Sequence, residues 1–444
     1  MSGEAQLEAL LEVINASARQ AIAEYKKGGS DVPTIHSKTF HPMDFATDTV
    51  SLKKAVRLLE GACQQLCASL APPQHTVINF AQSYDWACTG LVLRTGIADV
   101  LEKYPKGLHI NELSQMVGLE KGKLSRVLRV LASKGCFTEV DTDTFANNRL
   151  SLITLTTSDP GALARIHAQD VSQGAAVLYE SMTEPEYATS YDPDKAPLIY
   201  ALKKKGLKGS FFDWMKEDVE RRENYHHAMI GLGHIMGSLS VLHHYPWNEV
   251  KTVCDVGASI GTFSLPLAKT YPHLKITDQD LPEVLTQAKD IWAKDAPEAL
   301  QNNQVEFVAL NFFEESPIKG LDVYYLRNII HDWPDAEATI ILRNVRNAMG
   351  PHSRLLIHDY VLTTANRKPT ADYMGTDVAP EPMLPNFGAG NSRMYQQDLN
   401  MWFIHNAKER TLEDSIALGS AAALRLEKVY DLAESAVLEF RVAT

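Results

Sequence analysis

At 444 residues, with 45% hydrophobic and 22% charged residues, the chain has an ordinary globular composition and length enough for two or three domains. Its net charge of −12 argues against nucleic acid as a main partner, because holding a phosphate backbone needs a net basic footprint. No apolar run approaches a membrane span, and the start Met-Ser-Gly-Glu-Ala-Gln lacks the basic and apolar regions of an exported leader. Five cysteines form no Cys-x-x-Cys pair; Cys63 and Cys67, one helical turn apart, read as buried free thiols of a protein in a reducing, cytoplasmic compartment.

Residues 4–26 carry Leu7, Leu10, Leu11, Ile14 and Ala18 at helical spacing, and Gly28-Gly29 ends the pattern. After a connector at 31–48, a second helix near 49–70 sets Val56, Leu59, Cys63 and Leu66 on one face before Pro72-Pro73. Helices that precede a domain in this way suit packing against a partner subunit. One helix is expected over 77–103, then a short helix broken by Gly118, then another marked by Leu124, Val127, Leu128 and Leu131. Runs 137–140 and 145–148 read as a two-stranded wing, so 77–150 reads as a winged helix. Lys121, Lys123, Arg126 and Arg129 would contact DNA or form the solvated face of a packing module, and the acidic chain favours the second.

From 158 to 240 the pattern is helical with irregular interruptions. Trp214, Tyr225, Met229 and Met236 are fit to line a flat apolar pocket, since Met adapts its shape and aromatic rings stack, although plain core packing accounts for many such residues. His226-His227 and His243-His244 point about 100° apart on a helix, with no carboxylate at ligand spacing, so no metal is expected.

Strand and helix then alternate. Lys251–Val256, Leu274–Thr277, Val305–Leu310, Leu321–Arg327 and Arg354–Asp359 read as strands; 261–270, 283–293, 335–349 and 411–423 read as helices; 424–430 and 436–443 read as an edge hairpin. Such alternation implies a mostly parallel, doubly wound α/β sheet. The chain thus divides into a helical part, 1–240, and a Rossmann-like part, 241–444. A Pro, Gly and Asn-rich stretch at 363–396 is too long for an ordinary connection and reads as a lid or insertion.

The first strand of this part runs into Asp255-Val-Gly-Ala-Ser-Ile-Gly261, whose Gly-x-x-x-Gly spacing is not the Gly-x-Gly-x-x-Gly of a dinucleotide site. Asp280 follows at the second strand's end, where a carboxylate takes ribose hydroxyls or simply caps the strand. Without a phosphate-binding cation beside them, an adenosyl ligand lacking phosphates fits better than NAD. In 321–335 an apolar strand ends at His331, ahead of Pro334-Asp335. A titratable imidazole there is placed as a general base would be, or is a satisfied loop histidine.

Four motifs in this order, Asp255-Val-Gly-x-x-x-Gly, Asp280-Leu-Pro-Glu-Val, Arg327-Asn-Ile-Ile-His-Asp-Trp-Pro-Asp and Lys408-Glu-Arg-Thr, resemble the S-adenosylmethionine-dependent O-methyltransferases of the caffeate and flavonoid type, fungal members included. The resemblance covers roughly 77–444. It implies a class I Rossmann-like methyltransferase domain behind a mostly helical, winged-helix dimerisation domain, in a homodimer whose acceptor pocket lies between the two. It implies that Asp280 holds the ribose, and that Leu281 and Trp333 pack on the adenine. Asn311 and Phe312 would contact the adenine, Gly257 and Gly261 would admit the methionine portion, and Arg327 would lie near the cofactor. His331 matches the family's base, with Asp359 and Glu409 as flanking acids. With Met401, Trp402 and Phe403 added to Trp214, Tyr225, Met229 and Met236, the pocket candidates are apolar or aromatic, so a small phenolic acceptor is expected. The product would be S-adenosylhomocysteine. Ala258-Ser259 stand where the family has glycines, and Asn311 where it has Asp. The alternative is a member of the fold that binds the cofactor without methylating, as a cyclase, pericyclase or non-catalytic partner; His331, Asp359 and Glu409 together favour the transferase.

Overall fold

The computed structural model describes residues 1–203, 206, 209–216, 218–368 and 375–443. Three short strands, β1 (Leu108–His109), β2 (Thr138–Asp141) and β3 (Thr144–Ala146), form an antiparallel sheet in the order β1-β3-β2 beside the helices Ile110–Val117 and Lys121–Ser133. Leu113, Leu124, Leu128 and Phe145 close a small core between them.

The main sheet has seven strands: β4 (Thr252–Val256), β5 (Lys275–Asp280), β6 (Val305–Ala309), β7 (Val323–Arg327), β8 (Arg354–Asp359), β11 (Leu424–Asp431) and β12 (Ala436–Val442). Their order is β11-β12-β8-β7-β4-β5-β6, with β8, β7, β4, β5 and β6 parallel and the final hairpin antiparallel. The chain leaves β4 for β5 and β6, then returns to β7 on the other side of β4. The β4/β7 boundary is therefore the switch point, where the crevice at the carboxyl ends opens to a ligand. Helix Asp335–Ala348 buries Ala338, Ile341, Leu342, Val345 and Ala348 on the sheet, the face expected from its 3.6-residue period. Each of its larger apolar residues contributes ~1.5–3 kcal/mol by leaving water.

A helical layer covers one end of this sheet. Helices Asp159–Ile166, Pro197–Lys203, Phe211–Lys216 and Val219–Met236 share one core with helix Ser392–His405, which comes from the C-terminal half. The expected helix over 77–103 is instead three, Pro73–Ala81, Asp85–Thr95 and Ile97–Glu102. It breaks where Gly96 turns left-handed at φ 62° and where Gln82–Tyr84 leave the helix.

The stretch expected as a lid is, over its described residues 375–391, a strap on the second helix, Val50–Leu70. Ala379, Met383 and Phe387 bury against Leu10 and Ala62, and Gln65 bonds both the Pro382 carbonyl and the Leu384 N–H. Residues 369–374 lie outside the described residues. The same helix corrects the thiol expectation: Cys67 is exposed and Cys63 only half-buried, because the strap covers the opposite side of the helix's last turns.

Candidate active site

Two side-chain groups meet at the carboxyl ends of the strands. The first surrounds the loop after β4. Gly257 and Ala258 N–H both donate to the Gln279 carbonyl at 2.8 and 3.2 Å, which ties the loop to β5. Gly257, Ser259 and Gly261 take φ of 75°, 52° and 86°, a conformation that glycine adopts without strain. A side chain at Gly257 would meet Ile329 Cδ1 at 2.5 Å, and one at Gly261 would meet Trp292 Nε1 at 2.4 Å. Protein packing therefore already demands both glycines, apart from any room for a ligand.

Asp280 ends β5 with its carboxylate gripped by backbone: Ser259 N–H donates to one oxygen at 2.8 Å and Leu281 N–H to the other at 2.7 Å. Burial nevertheless pushes its pKa up, against those two hydrogen bonds. Leu281 beside it is exposed. Asn311, after β6, spends its side-chain oxygen on Phe313 N–H. The Phe312 ring reaches to within 3.9 Å of where a Gly257 side chain would begin, and it meets Trp333 edge-on at 6.4 Å. Arg327, ending β7, donates to Thr262 of the glycine loop. Asn328 turns left-handed at φ 54°, and its buried Oδ1 finds no partner among the described residues. Thus Phe312 connects Gly257 to Trp333, while Asp280 and Arg327 hold the glycine loop through Ser259 and Thr262. Gly261 faces inward to Trp292.

The second group is a sealed acid–histidine cluster. His331 sits in the turn after β7, and its Nδ1 is 2.7 Å from Glu409 Oε1. Two strands of only two residues bring these together. β9 (Val361–Leu362) pairs parallel with β10 (Arg410–Thr411) in the register Arg410↔Val361, which sets Glu409 beside the end of β8 and Asp359. Arg410 locks the turn by donating to the carbonyls of Ile330 and Trp333, each at 2.8 Å, and to Asp335. Asp359 accepts from Asn328 N–H at 2.9 Å. Asp332 lies 3.5 Å from His331 Nε2 and 3.6 Å from His405 Nε2.

Burial works against a charged His331, but Glu409, Asp332 and Asp359 outweigh it and push the imidazole up to about 10. Burial drives the carboxyls the same way, Asp332 to about 7 and Asp359 and Glu409 upward, against the pull of His331. His405 is held neutral, pushed down to about 3 by burial and then by His331. Four groups with opposed titrations in one closed space are an acid–base device in form. Phe212 joins the turn that carries His331 to the helical layer: its ring stacks on His405 at 4.9 Å and on Trp333 at 6.0 Å.

Of the seven expected pocket residues, Trp214, Tyr225, Met229, Met236, Trp402 and Phe403 join the helical core beside this cluster, while Met401 is buried outside it. Trp214 stacks under the Arg221 guanidinium at 3.7 Å. Phe212, Arg410, Asn328 and Tyr360 escaped sequence reading, although Arg410 and Asn328 each stand inside a motif quoted above. Three of the four tempting histidines have protein partners: His227 with Asp159, His243 with Thr47 and His244 with Asp48. Among the described residues no helix is long and apolar enough to cross a membrane.

A family model of the O-methyltransferase domain matches residues 195–425. The 3-O-methyltransferase 2 of Phanerochaete chrysosporium is 37% identical over 443 residues, covering 98% of this chain and 97% of its own length. Among solved structures, the mitomycin 7-O-methyltransferase MmcR superposes with a TM-score of 0.66 at 23% identity, over 85% of this chain and 99% of its own. A pericyclic reaction enzyme superposes as well, with a TM-score of 0.67 at 22% identity, over 87% and 94%. Likeness at that identity establishes the fold, and one fold hosts both chemistries. Sequence identity and the family match decide between them: the chain belongs to the S-adenosylmethionine-dependent O-methyltransferase family.

Proposed function

We propose that the chain methylates a hydroxyl of a phenolic acceptor, with His331 as general base, Glu409 and Asp359 as the acids that orient it, and S-adenosylhomocysteine as the other product. The carrying observation is the buried His331–Glu409 pair. With Nδ1–H donated to Glu409, Nε2 is the ring atom left to take a proton.

Bound S-adenosylmethionine supplies an electrophilic methyl group on its sulfonium. The crevice at the switch point suits it on three counts. Asp280 keeps lone pairs for ribose hydroxyls beyond those given to Ser259 and Leu281. Exposed Leu281 and the edge-on pair Phe312 and Trp333 supply apolar surface for a planar base. Asn328 Oδ1 is a buried acceptor in want of a donor such as an ammonium N–H. Asn311 and Arg327 complete the edge. In-line transfer depends mainly on positioning, which this rigid strand-end frame supplies.

A phenol has a pKa of about 10, and His331 is pushed up to about 10. Proton transfer from the phenol to neutral His331 is therefore nearly balanced, while the neutral form itself becomes more populated as pH rises toward the raised pKa. Asp359 and Asp332 stabilise the imidazolium that results.

The remaining parts of the reading are a homodimer assembled through the winged helix, acting in the cytoplasm. Helix Pro73–Ala81 buries no residue, and Val77, Ile78, Phe80, Tyr84 and Trp86 stand exposed, a face suited to a second copy. Arg129 is engaged by Glu139 and Asp143, which supports packing over DNA contact. The test is calorimetry with S-adenosylmethionine followed by methyl-label transfer to mono- and dihydroxylated phenols. Binding and labelled product are expected; no heat at millimolar cofactor would remove the reading.

A further inference from the structure

Beside the acid–histidine cluster, between the first two helices and helix Ser392–His405, lies a cavity of about 1180 Å³. Tyr360, next in the chain to Asp359, borders both this cavity and the small hollow at His331 and Glu409. The volume exceeds the ~300–1,000 Å³ that encloses drug-sized ligands, and so exceeds the need of a single phenolic ring. Of the expected pocket residues only Phe403 lines it, whereas Leu52 and Val56 of the second helix do.

The wall from helix Ser392–His405 carries a polar stripe beside the apolar Leu399 and Phe403. Arg393, Gln396, Gln397 and Asn400 recur at i, i+3, i+4 and i+7 and all face the cavity. Opposite them is His167, the first residue of a π-helical turn, His167–Val171, an irregularity that concentrates at functional sites. Asn400 Nδ2 donates to Gln397 Oε1 at 3.1 Å and to His167 Nε2 at 3.2 Å. Burial pushes His167 down to about 4, so the ring is neutral with its proton on Nδ1. That leaves His167 Nδ1–H, the Gln397 amide N–H and the Asn400 carbonyl oxygen without a partner among the described residues. The cations of the wall are already engaged: Arg149 by Asp44, Arg393 by Glu434 and Glu60, Lys53 by the Ile235 carbonyl. Neutral oxygens therefore suit this wall better than a carboxylate.

We infer that His167, Gln397 and Asn400 form a specificity strip that binds hydroxyl or carbonyl oxygens of a multi-ring acceptor in the cavity beside the acid–histidine cluster. The inference rests on the transferase reading above and extends it from a single ring to a larger, oxygen-rich class.

Quercetin and catechol, which share the same dihydroxyphenyl group, serve as probes with labelled S-adenosylmethionine, and quercetin binding is followed by tryptophan fluorescence. Quercetin should show kcat/KM at least about tenfold above catechol, the worth of one or two hydrogen bonds. Asn400→Leu should lower that ratio about tenfold through KM and weaken quercetin binding alike. Gln397→Met, nearly the same shape, carries the test if the first variant melts early. Equal kcat/KM for both probes, or an unchanged ratio in a variant with the native melting temperature, overturns the strip alone. Methylation of neither probe, with no cofactor binding, takes down the transferase reading and the strip with it.

Discussion

On one side of the switch point, Asp280 is held by two main-chain N–H groups, Ser259 from the loop after β4 and its own neighbour Leu281. On the other side, His331 is held by Glu409, 78 residues on, with Asp332 next in the chain and the charge of Asp359 acting on it as well, and it is sealed from solvent. The first arrangement tolerates a change of charge because its geometry is backbone. The second does not, because each carboxylate there is stabilised by the imidazole and raises its pKa in turn. Substitutions on the two sides should therefore fail differently.

The largest effect is expected from His331→Ala, which removes the base and strands three buried carboxyls: kcat should fall by about 10²–10⁴-fold. Cofactor affinity measured by calorimetry should change little, since no contact ties His331 to the Asp280 crevice. An active variant would reassign the base.

Next is Glu409→Gln, read as a pH profile. Below its raised pKa His331 already holds a proton, so the fraction able to accept one grows tenfold per pH unit. Log kcat/KM should climb with a slope near one from pH 7 to 9 and level off near 10, where His331 titrates. Glu409 is the strongest of the raising partners, so its loss should move the plateau to lower pH while lowering the maximum. A plateau that stays near pH 10 would place the base elsewhere.

The same contrast explains what the sequence disclosed. Gly257, Gly261 and Asp280 lie within 25 residues, and the strand pattern alone locates them at carboxyl ends. The acid–histidine cluster was legible only by family likeness, because a two-residue ladder between Val361–Leu362 and Arg410–Thr411 leaves no periodic trace. Arg410 was quoted in its motif but its clamp on the Ile330 and Trp333 carbonyls depends on that ladder. Phe212 joins the site through tertiary packing, and the first 70 residues pack against a strap more than 300 residues away. The break at Gly96 shows the opposite failure, a local signal present but outweighed by the helical pattern around it.

On the Asp280 side, Asp280→Asn removes the charge and keeps a single acceptor oxygen, so one of the Ser259 and Leu281 N–H groups loses its partner. A hydrogen bond to a charged group is worth about 1.5–3 kcal/mol, so KM for S-adenosylmethionine should rise roughly 10–100-fold. Turnover at saturating cofactor should hold within a few-fold, and a collapse in kcat instead would tie Asp280 to the chemistry.

The smallest effect concerns stability. Gly257→Ala forces a left-handed residue, about 1–2 kcal/mol, and drives a methyl against Ile329 Cδ1. For a domain of this kind each kcal/mol lowers Tm by about 2–4 °C, so a drop of several degrees is expected by calorimetry. The steric part is separable, because the obstructing atom is the far end of a side chain. Ile329→Val removes Cδ1, and adding it to Gly257→Ala should recover the portion of the loss due to the clash while leaving the φ strain in place. No recovery at all would mean that left-handed geometry alone demands this glycine, and that Ile329 can already turn aside.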